Sequence, residues 1–202
     1  NRLTFRQTLF NSSCMKDYIG GVILFDETIR QKSSFGTTIP ELISKHGSIP
    51  GIKVDKGAKP LAGSNEETIT EGLDGLRDRL KEYYNLGARF TKWRAVYKIS
   101  EKFPSSQSIK SNAHALARYA SLVQEANMVP IVEPEVLMDG SHNIDKCYKV
   151  TTDVLNVCFN ELKIHQVDLE GTVLKPNMVI PGTECKDKSS SKEIAEKTLE
   201  CL

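Results

Sequence analysis

No Cys-x-x-Cys pair occurs among the five cysteines, at positions 14, 147, 158, 185 and 201. Their odd number and wide spacing supply no disulfide framework, so reduced thiols in a cytoplasmic setting are expected. The four histidines (46, 114, 142 and 165) form no H-x-x-x-H. The sequence therefore predicts neither a metal site nor a cofactor. Charge of one sign is also missing. The 27 basic and 26 acidic residues leave a net charge of +1, with no basic block to hold nucleic acid. The longest apolar run, residues 22–25, is far too short to cross a bilayer, so no membrane insertion is expected. No charged stretch followed by an apolar one opens the chain, so no secretory leader is expected. No G-x-G-x-x-G follows the first strand-like run, which removes the usual support for a dinucleotide-binding open sheet.

What is present reads as alternating strands and helices. The 202 residues are 39% hydrophobic and 26% charged, as in a globular domain. The spacing predicts buried strands at 19–25, 49–54, 88–96, 129–136 and 171–174. Helices are predicted early in 1–18, around 40–45, from Leu73 to the capping Gly87, and over 106–127 and 143–162. A last helix opens at Ser190, with Glu193 completing a capping box. Residues 56–65, rich in Gly, Pro and Lys, read as a loop. Alternation of this kind implies right-handed βαβ units and a parallel sheet. Charged residues close four of the strands, at 53, 92, 133 and 175, at intervals of 39, 41 and 42 residues. An eight-stranded α/β barrel has about 30 residues per unit. These longer units predict a (β/α)8 TIM barrel of which residues 1–202 hold about five successive units. The expectation is one domain, incomplete at both ends.

The strand-end charges are the candidate site. A strand in a parallel sheet is expected to be apolar throughout, and four of these break that rule at their C-terminal ends. Three carry pairs at i and i+2, which point to one face: Lys53 with Asp55, Lys92 with Arg94, and Glu133 with Glu135. The fourth delivers Lys175, and Pro176 stops the strand at once. Desolvation and ion pairing are poor reasons to place charge in four successive strands. The rim formed by such strand ends is where a barrel does chemistry. An amine beside a second cation, Lys175 near Lys92, is held partly neutral and adds to a carbonyl. Two adjacent carboxyls cannot easily both ionise, so Glu133 beside Glu135 is expected to have a raised pKa and to move protons. Lys53 and Arg94 suit a phosphorylated substrate. Trp93, between Lys92 and Arg94, is expected to point away into helix packing.

The segments GGVILFDET, GIKVDKG, PLAGSNEET, GLDGL, FTKWRAV, ARYASL, VPIVEPEVL, LEGTVLKPNMV and PGTEC occur in that order. Together they closely resemble class I fructose-1,6-bisphosphate aldolase of the eukaryotic type. The resemblance implies a barrel of which these are the second to sixth strands. It implies metal-independent, Schiff-base cleavage of fructose 1,6-bisphosphate to dihydroxyacetone phosphate and glyceraldehyde 3-phosphate, a lyase reaction of glycolysis and gluconeogenesis. Lys175 then matches the Schiff-base lysine, Glu133 the proton acceptor and donor, and Glu135 the carboxylate that tunes it. Lys92 matches the assisting, substrate-contacting lysine. Lys53 and Arg94 match cations that hold phosphate or line the site, and Arg2 an arginine near a substrate phosphate, in surroundings (NRLTF) that depart from the commoner pattern. A cytoplasmic homotetramer is implied, with Asp74 in a subunit-contact segment, and some members bridge actin to adhesin tails. The family's first strand, with its catalytic aspartate, and its last two strands, with phosphate-binding loops, are expected outside these residues, leaving the slice alone inactive. Two alternatives remain: an actin- or adhesin-binding scaffold, and a transaldolase-like Schiff-base enzyme.

Overall fold

Five parallel strands lie side by side in chain order, and that order carries the fold. The structure is a computed structural model describing residues 2–202; Asn1, the start of the expected opening helix, lies outside them. In sequence the elements are α1 (Arg2–Phe10), α2 (Met15–Tyr18), β1 (Gly21–Leu24), α3 (Asp26–Ile29), α4 (Ile39–Lys45), β2 (Ile49–Lys53), β3 (Ala58–Pro60) and β4 (Thr68–Thr70). Then come α5 (Leu76–Asn85), β5 (Phe90–Tyr97), α6 (Ser106–Glu125), β6 (Val129–Val136), α7 (Ile144–Ile164), β7 (Val173–Leu174) and α8 (Ser191–Cys201).

The main sheet runs β1-β2-β5-β6-β7 with every pairing parallel. This order never reverses. Successive right-handed crossovers that all step the same way place their helices on one face, as in a barrel wall. A doubly wound sheet would reverse and cover both faces. Burial agrees. In β5, Thr91, Trp93, Ala95 and Tyr97 are buried, whereas Lys92, Arg94 and Val96 are not. The expectation of strands buried on both faces is corrected for β5, which alternates between a helix-covered face and a more open one, whereas β2 at Pro50–Ile52 and β6 at Val132–Pro134 stay buried on both. Among the described strands β1, expected buried, has one neighbour, β2, and Ile23 and Phe25 are exposed beside it.

The core sits between the sheet and α5–α7. Trp93 packs on Tyr119 of α6, ring centroids 5.3 Å apart, and the Tyr119 hydroxyl reaches Thr91 Oγ1 at 2.6 Å. Truncating such a buried tryptophan costs about 3–5 kcal/mol. Helix starts are set by side-chain caps: Ser105 accepts from Ser108 N, Asn143 from Lys146 N and Ser190 from Glu193 N. Thr38 and Glu41 form a reciprocal capping box on α4. After α5, Gly87 adopts φ +108°, a conformation L side chains avoid.

The expected loop at 56–65 instead contributes β3 to an antiparallel hairpin with β4. Its three-residue strands, one ending in Pro60, are too short for an alternating pattern to show. Side chains hold it: Asn112 of α6 accepts from Thr70 N at 3.1 Å and donates to Thr68 O at 2.9 Å. Among the described residues, no helix is long and apolar enough to cross a membrane.

Candidate active site

The open face of the sheet collects the strand-end charges. Lys53 is in register with Lys92, and Arg94 with Glu133. Side chains in register share a face, so Lys53, Lys92, Arg94, Glu133 and Glu135 all project opposite to Trp93 and Val132. Lys175 follows the last in-register pair of β6 and β7, Val132 with Leu174, which sets it level with Glu133. Its backbone N–H donates to Val132 O at 2.9 Å.

Glu133 is the centre of this group. Its Oε1 accepts from Lys175 Nζ at 2.5 Å and its Oε2 from Lys92 Nζ at 2.6 Å. Glu133's side chain is 4% exposed, Lys92's 14% and Lys175's 56%. Burial pushes the Glu133 carboxyl up, but the bonds from Lys175 and Lys92 outweigh it and hold it below the usual glutamate value. The expected raised pKa is therefore corrected. Glu135 does not repel Glu133 into protonation, because each carboxylate has its own cation: Glu135 pairs with Arg94 at the more open end of the strands. Lys53 donates to Asp55 Oδ1 at 2.5 Å, and Gly57 N donates to the same oxygen at 3.0 Å. The i, i+2 pairs thus share a face as expected, but only Lys53 and Asp55 pair with each other.

Arg2 stands apart. It is exposed at the start of α1 and makes no hydrogen bond or ion pair with the strand-end group. Its helix is tied by Arg6 to Gln31 and Glu27, beyond the C-terminal end of β1. Asp74 lines a cavity with Gly72 and His114, away from this group.

Two residues missed in the sequence hold Lys175 in place. β7 is only two residues long, too short to fix a side chain by pairing. Before it, Gln124 of α6 donates to Asp168 O at 2.7 Å and accepts from Asp168 N at 3.0 Å. After it, Asn177 accepts from Val136 N at 3.0 Å and donates to Thr151 Oγ1 of α7 at 3.1 Å. The amide after Lys175-Pro176, where the proline ends the strand and leaves backbone groups without ladder partners, was the available signal. Chemically, the arrangement offers a primary amine touching a buried, ionised carboxylate, with a second ammonium on the carboxylate's other oxygen. It suits addition of an amine to a carbonyl with proton transfer at the same carboxylate.

The family model for class I fructose-bisphosphate aldolase, a glycolytic family, matches residues 1–202. A probable fructose-bisphosphate aldolase class 1 from Xanthomonas axonopodis is 57% identical over 202 residues, covering all of this chain and 60% of the relative. Fructose-bisphosphate aldolase 6, cytosolic, from Arabidopsis thaliana is 54% identical, covering all of this chain and 56% of that one. Among solved structures, fructose-bisphosphate aldolase from Plasmodium falciparum, in complex with TRAP and a small-molecule inhibitor, superposes with a TM-score of 0.97 at 45% identity. It covers all of this chain and 58% of that one. The chain thus spans about 60% of the length of the curated relatives it matches. A singly wound sheet, a lysine–glutamate–lysine rim and a family model that runs the whole length agree: this chain belongs to the class I fructose-bisphosphate aldolase family.

Proposed function

We propose that the protein containing this chain is a class I aldolase that reversibly cleaves fructose 1,6-bisphosphate to dihydroxyacetone phosphate and glyceraldehyde 3-phosphate. The contact of Lys175 Nζ with Glu133 Oε1 at 2.5 Å carries the reading. Lys175 must lose a proton to attack the ketose carbonyl, and Glu133, ionised at rest, accepts it. The protonated Glu133 then returns that proton to the carbinolamine hydroxyl, which leaves as water, and the nitrogen lone pair forms the iminium. That iminium accepts the electron pair released when the adjacent C–C bond breaks. A base takes the proton of the neighbouring hydroxyl as it becomes the aldehyde. The resulting enamine is protonated at carbon, and water releases the ketone. Lys92, on the other oxygen of Glu133, keeps that carboxylate ionised between turnovers. Lys53 and Arg94 are assigned to the substrate's phosphates, as is Arg2, and Glu135 to holding Arg94. A cytoplasmic homotetramer with Asp74 at a subunit contact completes the reading, which needs no metal or cofactor in the reaction.

The test is trapping. The full-length protein is incubated with dihydroxyacetone phosphate, reduced with borohydride and digested, and the adduct is mapped by mass spectrometry. An adduct on Lys175 is expected. An adduct on another lysine, or none, overturns the assignment. A second reading, docking of an actin- or adhesin-type partner on this rim, is favoured by the Plasmodium relative having been solved with TRAP. Partner binding retained without any Lys175 adduct is the result that selects it.

A further inference from the structure

The four histidines looked unrelated in sequence, but packing of α6 on α7 brings two of them to one carboxylate. His114 of α6 places Nδ1 3.1 Å from Glu161 Oε2 of α7. His165, capping the C-terminus of α7, places Nδ1 3.6 Å from the same oxygen. One ligand atom from each of the three residues lies within 4.8 Å of the others. We propose that His114, Glu161 and His165 form a site for a divalent transition ion of the zinc class, bridging α6 and α7 on the outside of the sheet's helical layer.

The donor set is two imidazoles and one carboxylate, the set that holds zinc with a position left open. Zinc–ligand bonds of about 2.0–2.2 Å in a tetrahedron separate neighbouring donors by about 3.3–3.6 Å. The two distances to Glu161 Oε2 fall at or close to that span, so only the histidine–histidine separation needs to shorten. His114 is half-exposed and has room to turn. The two rings already meet edge to face at 4.9 Å between centroids. His165 ligates through Nδ1, giving up its 2.9 Å contact with the Glu161 carbonyl. His114 also lines a cavity of about 470 Å³ whose wall includes Glu71 and Asp74. None of the three residues belongs to the lysine–glutamate group, so the ion acts as a clamp between two helices and takes no part in the proposed carbonyl chemistry.

The experiment is calorimetric titration of Zn2+ into the chelator-stripped full-length protein in a non-coordinating buffer, with Co2+ absorption spectra alongside. One Zn2+ per chain is expected, with a rise in melting temperature. Affinity should fall at least about tenfold in His114→Ala and in His165→Ala, and the thermal shift should vanish in the double variant. Borohydride trapping at Lys175, unchanged in each variant, reports intact folding. The Co2+ spectrum should show nitrogen and oxygen ligation with no thiolate charge-transfer band. Undiminished Zn2+ affinity in the double variant, a thiolate band, or no saturable binding at millimolar Zn2+ each overturns the site.

Discussion

Lys92 and Glu133, and further out Arg94 and Glu135, are two pairs on the same strands, β5 and β6, one pleat apart; Lys175 reaches the inner pair from the end of β7 to make a trio, and the two levels differ in depth. Lys92 lies in register with Ile131 but bonds to Glu133. Arg94 lies in register with Glu133 but bonds to Glu135. Each contact therefore steps two residues along β6, as the twist between neighbouring strands would carry it. Inside, Glu133 is 4% exposed and answers to two ammonium groups. Outside, Glu135 is 28% exposed and Arg94 44%, a pair with water close by. A cation–glutamate pair at the same offset thus gives a buried carboxylate held by two ammonium groups at one level and a solvated arginine–glutamate pair at the next. In the inner group the carboxylate is fixed on an eight-residue strand, while the amine it touches is the exposed member.

The largest break in the comparison is expected at Lys175. Lys175→Arg keeps the positive charge beside Glu133 but removes the nucleophile. Cleavage of fructose 1,6-bisphosphate should fall by about 10⁴-fold or more, with borohydride trapping abolished and the melting temperature near the parent's. Next is Glu133→Gln, which retains shape and one hydrogen-bond acceptor but cannot move a proton. The expected loss in kcat is about 10²–10⁴-fold, with slowed imine formation in single-turnover trapping. The same variant tests the electrostatics. Glu133 in the folded chain titrates below its ordinary value of 4.5. Its ionised pairing therefore contributes stability fully above that value and loses it as the pH falls through the lower folded value. Melting temperatures from neutrality down to about pH 3 should decline more steeply in the parent than in Glu133→Gln. An identical acid limb in the two proteins would show that the inner pairing does not depress Glu133.

Lys92→Met comes third. It leaves Glu133 with Lys175 alone, so the buried carboxylate keeps one partner and the chain should fold. Turnover should drop by about 10- to 10²-fold, from a carboxylate less firmly held ionised between steps. A Lys92→Met protein that turns over like the parent would make the inner trio a pair.

Much of this was legible before the structure. Lys175, Glu133 and Lys92 stood out because charge at the ends of apolar strands needs a reason, and their nearly even spacing gave a unit length. The partners were not legible. Pairing depends on register between strands about forty residues apart, so the i, i+2 pattern misassigned Glu135 as the neighbour that perturbs Glu133. The β3–β4 hairpin was hidden because three-residue strands are too short to show an alternation. Gln124 and Asn177 were hidden because their work is to satisfy the backbone on either side of a strand they do not belong to. His114 and His165 meet only through the packing of two helices, which no local spacing records.

The smallest effect should come from the outer pair, and it is the one that separates depth from composition. Glu135→Gln removes a carboxylate of the same type as Glu133, two residues along the same strand. If proximity of two carboxyls set the proton chemistry, this change would lower the Glu133 pKa further and shift the pH profile of kcat. The geometry says otherwise. Glu135 faces Arg94, and a half-exposed pair of this kind contributes about 0–1 kcal/mol. Its loss frees the Arg94 guanidinium, which also lies near enough to Glu133 and Asp55 to feel their charge. The expected result is kcat within about threefold of the parent, an unmoved pH profile, and a KM that falls slightly as Arg94 becomes available to a phosphate. A loss in kcat approaching that of Glu133→Gln would mean that the two carboxylates work as one unit, and that the distinction between inner trio and outer pair has no chemical meaning.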